Sequence, residues 1–270
     1  MIQKILKAMD EQKLDMFIVV STDDHLNEYL PAHNCRLNAV TVSKNSSGFT
    51  GSAGTAVFCV EGRSQLFVDS RYHLQAEQTC GEDFEIQKLG KDGVLSPHNW
   101  IASQPDNNLT IGADPFLMSL NEWRRYEKAF SKSDHYLKPV TPNLVDSIWN
   151  DRPNPPKNII YPLDIKYSGK SSSSKLADVR KEINDSEVMK DNKNYVLLLS
   201  MLDEIAWLTN LRGSDIEHNP VFEAYAAVFK DKAYCFCHHP KPDLKEYCPD
   251  WDFKPYEEYH DFLIKVAKDK

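Results

Sequence analysis

The chain carries one order of sequence patterns twice, and this repeat restricts its fold more than any other feature. Each copy runs from an apolar strand through an acidic, helix-like segment and a glycine-containing loop to a strand, a charged turn and another strand. The first copy lies within residues 16–71 and the second within residues 194–237. Thr55-Ala-Val-Phe58 in the first parallels Ala226-Ala-Val-Phe229 in the second. The pattern predicts two α/β units related by duplication, although unrelated α/β units can share such an order.

The composition excludes several classes of protein. Of the 270 residues, 41% are hydrophobic and 27% are charged, a globular balance with enough length for two cores. No apolar run approaches the roughly 18–20 residues that span a bilayer, so we expect no membrane partner. The net charge of −8, with lysines and arginines scattered along the chain, argues against a nucleic-acid partner. Because the first residues do not form a signal-peptide pattern and the six cysteines are unevenly spaced, we expect a cytoplasmic protein without a disulfide framework.

A proline-rich stretch predicts the boundary between the two units. Three prolines lie between Asn150 and Lys157, where they fix φ and remove backbone donors. We therefore expect a first domain over residues 1–152 and a second over residues 153–270. The second ends in a charged helix over Tyr256–Lys268, whereas the first continues through a further strand, helix and strand. The second domain is therefore predicted to be truncated at its C-terminus.

Four local predictions bear on the fold. Thr55–Val60 and Ser64–Val68 should form a hairpin, because a tight-turn sequence, Glu-Gly-Arg, separates two apolar runs. Asp23-Asp24 is expected to begin a short helix containing Leu26, Tyr29 and Leu30. The residues from Asn34 to Ser46 are interpreted as a polar, insertion-like stretch. Asn194–Ser200 is expected to be a buried strand.

The sequence contains two clusters of metal-ligating residue types, and neither predicts a metal site. Asp203, Glu204, Asp215, Glu217 and His218 lie close in sequence, but acids at a helix start favour the helix dipole and a loop histidine is commonly solvated. The cysteines at 235, 237 and 248, with the histidines at 238 and 239, are of zinc-binding type. Structural zinc sites normally use a gap of two to four residues and a second knuckle, so small buried hydrophobes are the better interpretation.

Two further kinds of site are disfavoured. The glycine run at 48–54 lacks the Gly-Lys-Ser/Thr ending of a phosphate-binding loop, and close packing before a strand explains it. Ser52 and Ser214 have no evident histidine and aspartate partners for a serine hydrolase. The residues themselves therefore predict no catalytic group.

Four motifs, in order, carry a family resemblance. They are Ser47-Gly-Phe-Thr-Gly-Ser-Ala-Gly-Thr-Ala56, Phe67-Val-Asp-Ser-Arg-Tyr-His-Leu-Gln-Ala76, Asn143–Trp149 with Asp151-Arg-Pro153, and Leu202–Phe222. The sequence resembles the N-terminal region of Xaa-Pro aminopeptidases (aminopeptidase P). The resemblance implies two α/β domains of the creatinase N-terminal type, which are ribonuclease H-like, each with a mixed sheet flanked by helices. It also implies that the catalytic pita-bread domain, with its two metal ions, usually manganese, is missing.

The resemblance assigns one residue to a substrate pocket. Arg71 matches an arginine that in the family reaches from the first domain to the substrate, and a guanidinium can hold a peptide carboxylate or carbonyl. The glycine that usually precedes it is Ser70 here, and the usual aromatic residue after Tyr72 is His73. An exposed or internally paired arginine is the alternative. No catalytic residue and no metal ligand carry over to this chain.

A second set of motif residues is assigned to a structural loop. Arg212, Asp215, His218 and Asn219 are expected to build a loop that faces the catalytic domain, with Asp215 bracing Arg212. An apolar patch on the second unit is expected where that domain docks.

Three functional hypotheses follow. The first is the non-catalytic N-terminal region of an enzyme that removes the first residue from peptides with proline in position two, with oligomer contacts and one wall of the substrate channel as its roles. Its implied partners are its own catalytic domain, a second subunit and proline-containing peptides. The alternative is a stand-alone, inert, peptidase-derived interaction module. An independent hydrolase is the weakest, and this chain is expected to be inactive alone.

Overall fold

The computed structural model describes residues 1–43, 47–106, 108–189, 194–238 and 243–268. The chain divides into two compact units, Met1–Asn154 and Pro155–Lys270, which are described separately below. Within the described ranges, no helix combines the length and the apolar character required to cross a bilayer.

The first unit is a six-stranded mixed sheet with helices on both faces. Its strands are β1 (Met16–Val20), β2 (Gly54–Cys59), β3 (Gln65–Val68), β4 (Glu85–Lys88), β5 (Thr110–Ala113) and β6 (Tyr136–Pro139). Its helices are α1 (Ile2–Glu11), α2 (Arg36–Thr41), α3 (His73–Cys80), α4 (Pro97–Ala102), α5 (Leu120–Phe130) and α6 (Leu144–Ile148). The strand order is β4-β3-β2-β1-β5-β6. The strands β1, β2 and β3 pair antiparallel in succession, whereas β3–β4, β1–β5 and β5–β6 are parallel.

The apolar run of β1 is explained by burial on both faces of this sheet. Alternate side chains of a strand point to opposite faces. Phe17 belongs to the core cluster that contains Ile5 of α1, while Ile18 belongs to the cluster that contains Tyr126 of α5. A central strand covered on both sides cannot alternate with polar residues, which gives the uninterrupted sequence Met-Phe-Ile-Val-Val.

The second unit contains a four-stranded sheet and a separate two-stranded ribbon. Its strands are β7 (Tyr161–Pro162), β8 (Val196–Leu199), β9 (Leu211–Arg212), β10 (Ala224–Phe229), β11 (Ala233–Cys237) and β12 (Asp252–Pro255). Its helices are α7 (Ile165–Ser168), α8 (Ser172–Asp185), α9 (Leu202–Thr209), α10 (Leu244–Tyr247) and α11 (Tyr259–Lys268). The larger sheet has the order β12-β11-β10-β8, and β7 pairs with β9. Residues of α8 and α9 pack with β10 in one core cluster, and residues of α11 pack with β10 in another.

The repeated layout predicted from the sequence is confirmed at the level of the sheets. The pairs β8–β10 and β10–β11 are antiparallel and β11–β12 is parallel, as are β1–β2, β2–β3 and β3–β4 respectively. The outer strands β4 and β12 were not predicted, because each has only four residues and a partly polar sequence. In the first sheet β5 lies beside β1, whereas no described strand lies on the corresponding edge of β8.

Two local predictions for the first unit are wrong. No helix begins at Asp23-Asp24, because the Asp23 carboxylate accepts hydrogen bonds from the backbone N–H groups of His25 and Asn27 at 3.1 and 3.0 Å. Such side-chain bonds give the backbone an alternative to a helix, and Leu26 takes a positive φ of 56°. The helix instead comes later, as α2, within the stretch interpreted as a polar insertion. Residues of α2, including Leu37 and Val40, belong to the core; residues 44–46 lie outside the described ranges.

The burial predicted for the strand at Asn194–Ser200 is also wrong. β8 is present but only half-buried, and 44% of Leu198 is exposed. Its sequence is nevertheless as apolar as that of the central strand β1. The hairpin of β2 and β3 is confirmed, with Thr55 opposite Phe67.

Candidate functional site

Arg71 lies just after β3, in the turn that leads into α3, and its side chain is held in one orientation. Its Nε and Nη2 donate to the two carboxylate oxygens of Asp69 at 3.1 and 2.8 Å, and its backbone N–H donates to Asp69 Oδ1 at 3.0 Å. Nη1 lies 3.4 Å from Glu28 Oε1. The guanidinium also lies over the Tyr72 ring, 5.0 Å from its centroid. Because 54% of the Arg71 side chain is exposed, it remains accessible despite these contacts.

The glycine loop packs against the turn that carries Arg71. A Cβ at Gly51 would lie 2.4 Å from Phe49 Cζ and 2.8 Å from Tyr72 Cδ1, so a side chain cannot be accommodated without movement. Phe49 is buried and meets Tyr72 edge-on, with 5.6 Å between the ring centroids. The glycines therefore serve close packing, as predicted from the sequence, and this packing fixes the ring beneath Arg71.

A hydroxyl pair joins the same loop to Glu28. Ser52 Oγ donates to Glu28 Oε1 at 3.3 Å and lies 2.9 Å from Tyr72 Oη. The partners of Ser52 are thus a carboxylate and a phenol, not the imidazole that a serine nucleophile requires. We define the exposed cluster of Glu28, Ser52, Asp69, Arg71 and Tyr72 as the Arg71 site.

The electrostatics of the Arg71 site favour full ionisation of its ion pair. The hydrogen bond from Arg71 lowers the pKa of Asp69 below its usual range, and the same bond raises the pKa of Arg71. Both groups are largely solvated, so the pair contributes little to stability. Its main physical effect is orientation: a fixed guanidinium loses less side-chain entropy when it binds a carboxylate or carbonyl oxygen.

The sequence predicted only Arg71 of this site and missed Asp69, Tyr72 and Glu28. The spacing Asp69-Ser-Arg71 was visible, and an aspartate two residues before an arginine could have suggested the pair. Glu28 is 43 residues from Arg71 along the chain, and no local pattern connects them. Arg71 is exposed and internally paired, as the alternative interpretation had it, and its assignment to a substrate pocket stays a prediction.

The loop after α9 is ordered, but not by the bracing that the sequence suggested. Arg212 Nη1 donates to the carbonyl oxygens of Ala206 and Leu211 at 2.7 and 2.9 Å. Asp215 Oδ2 instead accepts the backbone N–H of Glu223 at 2.9 Å. Burial raises the pKa of Asp215, and the charge of Glu223 adds to this effect. Asp215 and Arg212 are therefore not paired with each other as expected. Each side chain is instead hydrogen-bonded to backbone groups.

The two clusters of metal-ligating residue types do not become metal sites in the described structure. His218 projects into solvent, and its Nε2 lies 3.3 Å from Glu217 Oε1. Cys235 and Cys237 are buried, and their mutual hydrogen bond and burial raise the pKa of Cys235 well above that of a free thiol. Burial raises the pKa of Cys248 to about 12, and its thiol donates to the carbonyl of Thr209. His239 lies outside the described residues.

The described residues also do not fit a pair of divalent ions. Across these ranges, no three histidine, cysteine, aspartate or glutamate side chains are grouped so that they could hold a metal ion. A two-metal hydrolase needs several such ligands around ions about 3.5–4 Å apart. The described side chains therefore do not supply the ligand set of a two-metal centre.

The second unit exposes large apolar side chains beside an open cavity that also has polar lining residues, and the docking role expected for such a patch stays a prediction. Ile165 of α7 and Tyr247 of α10 are 59% and 56% exposed, and both line a cavity of about 390 Å³ together with Pro162 and Leu163. Large apolar side chains that meet at an open cavity commonly mark an interface. We call these four residues the Ile165 patch.

Comparison with known proteins gives the family. Residues 1–148 and residues 151–270 each match the creatinase/prolidase N-terminal domain. The chain is 36% identical over 266 residues to a probable Xaa-Pro aminopeptidase P from Coprinopsis cinerea, with 97% of this chain and 41% of that protein covered. It is 37% identical over 231 residues to a protein of the same name from Aspergillus fumigatus, with 85% of this chain and 33% of the relative covered.

A solved structure agrees with this assignment. The fold matches the crystal structure of X-prolyl aminopeptidase from Caenorhabditis elegans, described as a cytosolic enzyme with a di-nuclear active site. The TM-score is 0.85 at 25% identity, and the match covers 94% of this chain and 40% of that one. The chain therefore spans about a third to two fifths of the relatives that it matches. The resemblance and the mixed α/β fold predicted from the sequence are confirmed, and the chain belongs to the creatinase/prolidase N-terminal domain family.

Proposed function

We propose that this chain is the non-catalytic N-terminal region of an Xaa-Pro aminopeptidase, a metallopeptidase that removes the first residue from peptides with proline in position two. The observation that carries the proposal is the succession of two creatinase N-terminal domains over residues 1–148 and 151–270, in a chain that aligns with 33–41% of its aminopeptidase relatives. The lack of a metal-ligand group among the described side chains supports a non-catalytic role. The cytosolic relative supports a cytoplasmic location.

In this proposal Arg71 forms part of the substrate pocket. Asp69 fixes its guanidinium through two hydrogen bonds, while the side chain stays more than half exposed. A substrate carboxylate or carbonyl oxygen would replace the longer contact to Glu28, which spans 3.4 Å, and leave the Asp69 pair intact. Charge-assisted bonds of this kind contribute roughly 1.5–3 kcal/mol.

The partners in this proposal are the enzyme's own C-terminal catalytic domain, a second subunit and proline-containing peptides. The catalytic domain would hold two divalent ions, for which manganese is the expected metal, and the di-nuclear relative supports such a centre. The Ile165 patch is the proposed docking surface for that domain, because it presents exposed apolar area around an open cavity. Shaping of the substrate channel and oligomer contacts are the remaining proposed roles.

A chimera tests the proposal. The present chain would replace the corresponding N-terminal 41% of the Coprinopsis cinerea relative, and activity on an Xaa-Pro peptide would be measured with Mn²⁺. We expect turnover by the chimera and none by the 270-residue chain alone. Arg71→Ala should lower kcat/KM roughly 10-fold to 100-fold, mainly through KM, because a substrate contact is lost. Arg124→Ala, at an exposed arginine of α5, is the matched control and should keep full activity.

The same experiment distinguishes the alternative of a stand-alone interaction module. The Ile165 patch would serve an unrelated protein partner as well as it would serve a catalytic domain. A chimera that folds, binds metal and yet has no activity would favour the module. Turnover by the 270-residue chain alone would contradict both readings.

A further inference from the structure

A basic groove lies between α4 and α5 of the first unit, away from the residues of the Arg71 site. Its volume is about 730 Å³, which lies within the range of small-molecule sites. The residues with polar side chains that line it include Arg125, Lys128 and Lys132 on one side and His98 and Asn99 on the other. We call it the α4–α5 groove. No acidic side chain is among its lining residues, although the whole chain has a net charge of −8.

Two of the three cations lie on one face of α5, and the third follows the helix. Arg125 and Lys128 are three residues apart on α5, which ends at Phe130, and Lys132 lies in the turn just after that C-terminal end. The dipole of α5 favours cations at that end. The helix dipole does not explain why Arg125, about one turn before the end of α5, lines the same cavity. It also does not explain the presence of His98 and Asn99 of α4 there.

The acids of α5 do not neutralise the two lysines. Glu122 pairs with Arg125 at 3.2 Å, and Glu127 Oε1 accepts the indole N–H of Trp123 at 3.1 Å. Among the ion pairs of the described residues, Lys128 and Lys132 take part in none. Lys128 and Lys132 carry like charges four residues apart and line the same groove, so they repel each other. A bound anion would relieve that repulsion.

The groove also carries a group that would respond to an anion. His98 is half-buried, its ring meets Tyr126 edge-on at 5.7 Å, and its Nε2 lies 3.1 Å from Ser96 Oγ. Burial lowers the pKa of His98; the charge of Glu122 opposes this and that of Arg125 adds to it. Glu122 and Arg125 are thus the charged groups that act on the His98 ring. A bound anion would favour the charged imidazolium and so raise the pKa.

We propose that the α4–α5 groove is a binding site for a small oligophosphate, an anion with two or more linked phosphate groups. The groove volume of about 730 Å³ is much larger than one phosphate group, and its cations come from three positions of the chain, Arg125, Lys128 and Lys132. Linked phosphates match a groove of this size with three cations in its lining, and the amide of Asn99 supplies an uncharged donor. The site would be separate from peptide hydrolysis.

The test is calorimetric titration of the 270-residue chain with inorganic triphosphate, phosphate and citrate at low and at physiological salt. Triphosphate should bind saturably with a stoichiometry of one, and phosphate should bind at least about tenfold more weakly, because it reaches fewer cations. Citrate separates phosphate recognition from a general response to negative charge. Citrate binding as tight as triphosphate would overturn the oligophosphate assignment, as would the absence of saturable triphosphate binding.

A pair of double variants tests the location of the site. Lys128→Gln with Lys132→Gln should weaken triphosphate binding about tenfold or more. Arg124→Gln with Lys4→Gln removes the same charge from exposed positions that do not line the groove, and should keep the affinity within about twofold. Equal weakening by both pairs would show a diffuse charge effect and overturn the proposal. All four positions are exposed, and equal melting temperatures would establish that the variants fold.

A spectroscopic measurement provides a second readout. Saturation with triphosphate should raise the pKa of His98 in an NMR titration of the ring, because a bound anion favours the imidazolium. A His98 titration curve that is the same with and without triphosphate would contradict binding in the α4–α5 groove.

Discussion

At the scale of single residues, burial decides how Asp215 responds to pH. Its carboxylate lies in the loop after α9, accepts the backbone N–H of Glu223 and has a raised pKa, chiefly through burial. A carboxyl group with a raised pKa in the folded state binds its proton more tightly there than in the unfolded chain. Its contribution to stability is therefore complete below the unfolded value of about 3.9 and is lost as pH rises through the folded value.

Replacing this carboxyl group should remove that pH dependence. Asp215→Asn keeps an oxygen to accept the Glu223 N–H but cannot ionise, so the variant should gain stability relative to the wild type as pH rises from about 3.5 to about 7. Urea unfolding midpoints at several pH values measure the difference. Asp10→Asn, at an exposed aspartate of α1, is the control for loss of a negative charge. A constant difference between Asp215→Asn and the wild type over this range would contradict the prediction.

The residues of the Arg71 site show which parts of a site a sequence can predict. Arg71 was found through a motif, and its local hydrogen-bonding partner Asp69 is only two positions away. Glu28 approaches from a different loop, because the turn built by Asp23 redirects the chain there. Contacts of this second kind depend on tertiary structure, and a single sequence has no pattern that encodes them.

At the scale of elements, apolar strands were predicted well, while short polar strands and side-chain-directed turns were not. β1 and the β2–β3 hairpin carry strong apolar runs that only a sheet interior explains. β4 and β12 form outer edges with partly polar sequences, so their periodicity is weak. The helix expected at Asp23 failed because one carboxylate bonded to its own backbone, a competition that hydrophobic spacing does not reveal.

Helix α6 and the segment after it are held by one carboxylate. Asp146 accepts hydrogen bonds from Arg36 Nε and Nη2 at 2.7 and 3.0 Å and pairs with Arg152 Nη1 at 2.9 Å. Arg152 Nε also donates to the carbonyl oxygen of His33 at 2.7 Å. One acid therefore connects α2, α6 and the last residues of the first unit.

Removing this carboxylate should destabilise the first unit strongly. Asp146→Ala leaves the buried guanidinium of Arg36 without its charged partner, and we expect a loss of about 2–4 kcal/mol in the free energy of unfolding. Asp151→Ala, at an exposed aspartate five residues later, should cost less than about 0.5 kcal/mol. Chemical denaturation followed by tryptophan fluorescence measures both. A loss from Asp146→Ala as small as that from Asp151→Ala would show that the two arginines do not depend on it.

The open edge of β8 should promote self-association. β8 is fully apolar, Leu198 is 44% exposed, and no described strand pairs with its outer edge. Such an edge is a template for strand pairing. Leu198→Lys should therefore lower the concentration-dependent association of the 270-residue chain in sedimentation velocity experiments. Leu74→Lys, at a 66% exposed leucine of α3, is the matched control. Equal association of both variants and the wild type would exclude the edge as the cause.

At the scale of the whole molecule, the two units differ in how they cover the first strand of the repeated layout. In the first unit both faces of β1 are buried, and a strand lies on each of its edges. In the second unit the strand that corresponds to β1 is an edge strand, and the Ile165 patch is open. The chain therefore combines a unit whose first repeated strand is covered on both faces and both edges with one whose corresponding strand lies at an edge of the described sheet.

Separating the units should reveal this difference directly. Each unit buries its own aromatic and aliphatic core, so residues 1–154 and residues 155–270 should each fold alone. The first should be monomeric and unfold cooperatively. The second should bind a hydrophobic dye such as ANS and associate, because Ile165, Tyr247 and Leu198 are exposed.

Substitutions within the Ile165 patch test whether it is the source of the dye binding expected of residues 155–270. Ile165→Glu with Tyr247→Lys should abolish most dye binding by residues 155–270 without changing the net charge, whereas Asp164→Asn, beside the patch, should leave it unchanged. Dye binding that persists in the double variant would place the apolar surface elsewhere. A sheet covered by helices on both faces leaves little contiguous apolar area for the dye. Equal dye binding by residues 1–154 and residues 155–270 would therefore contradict the proposed difference between the two units.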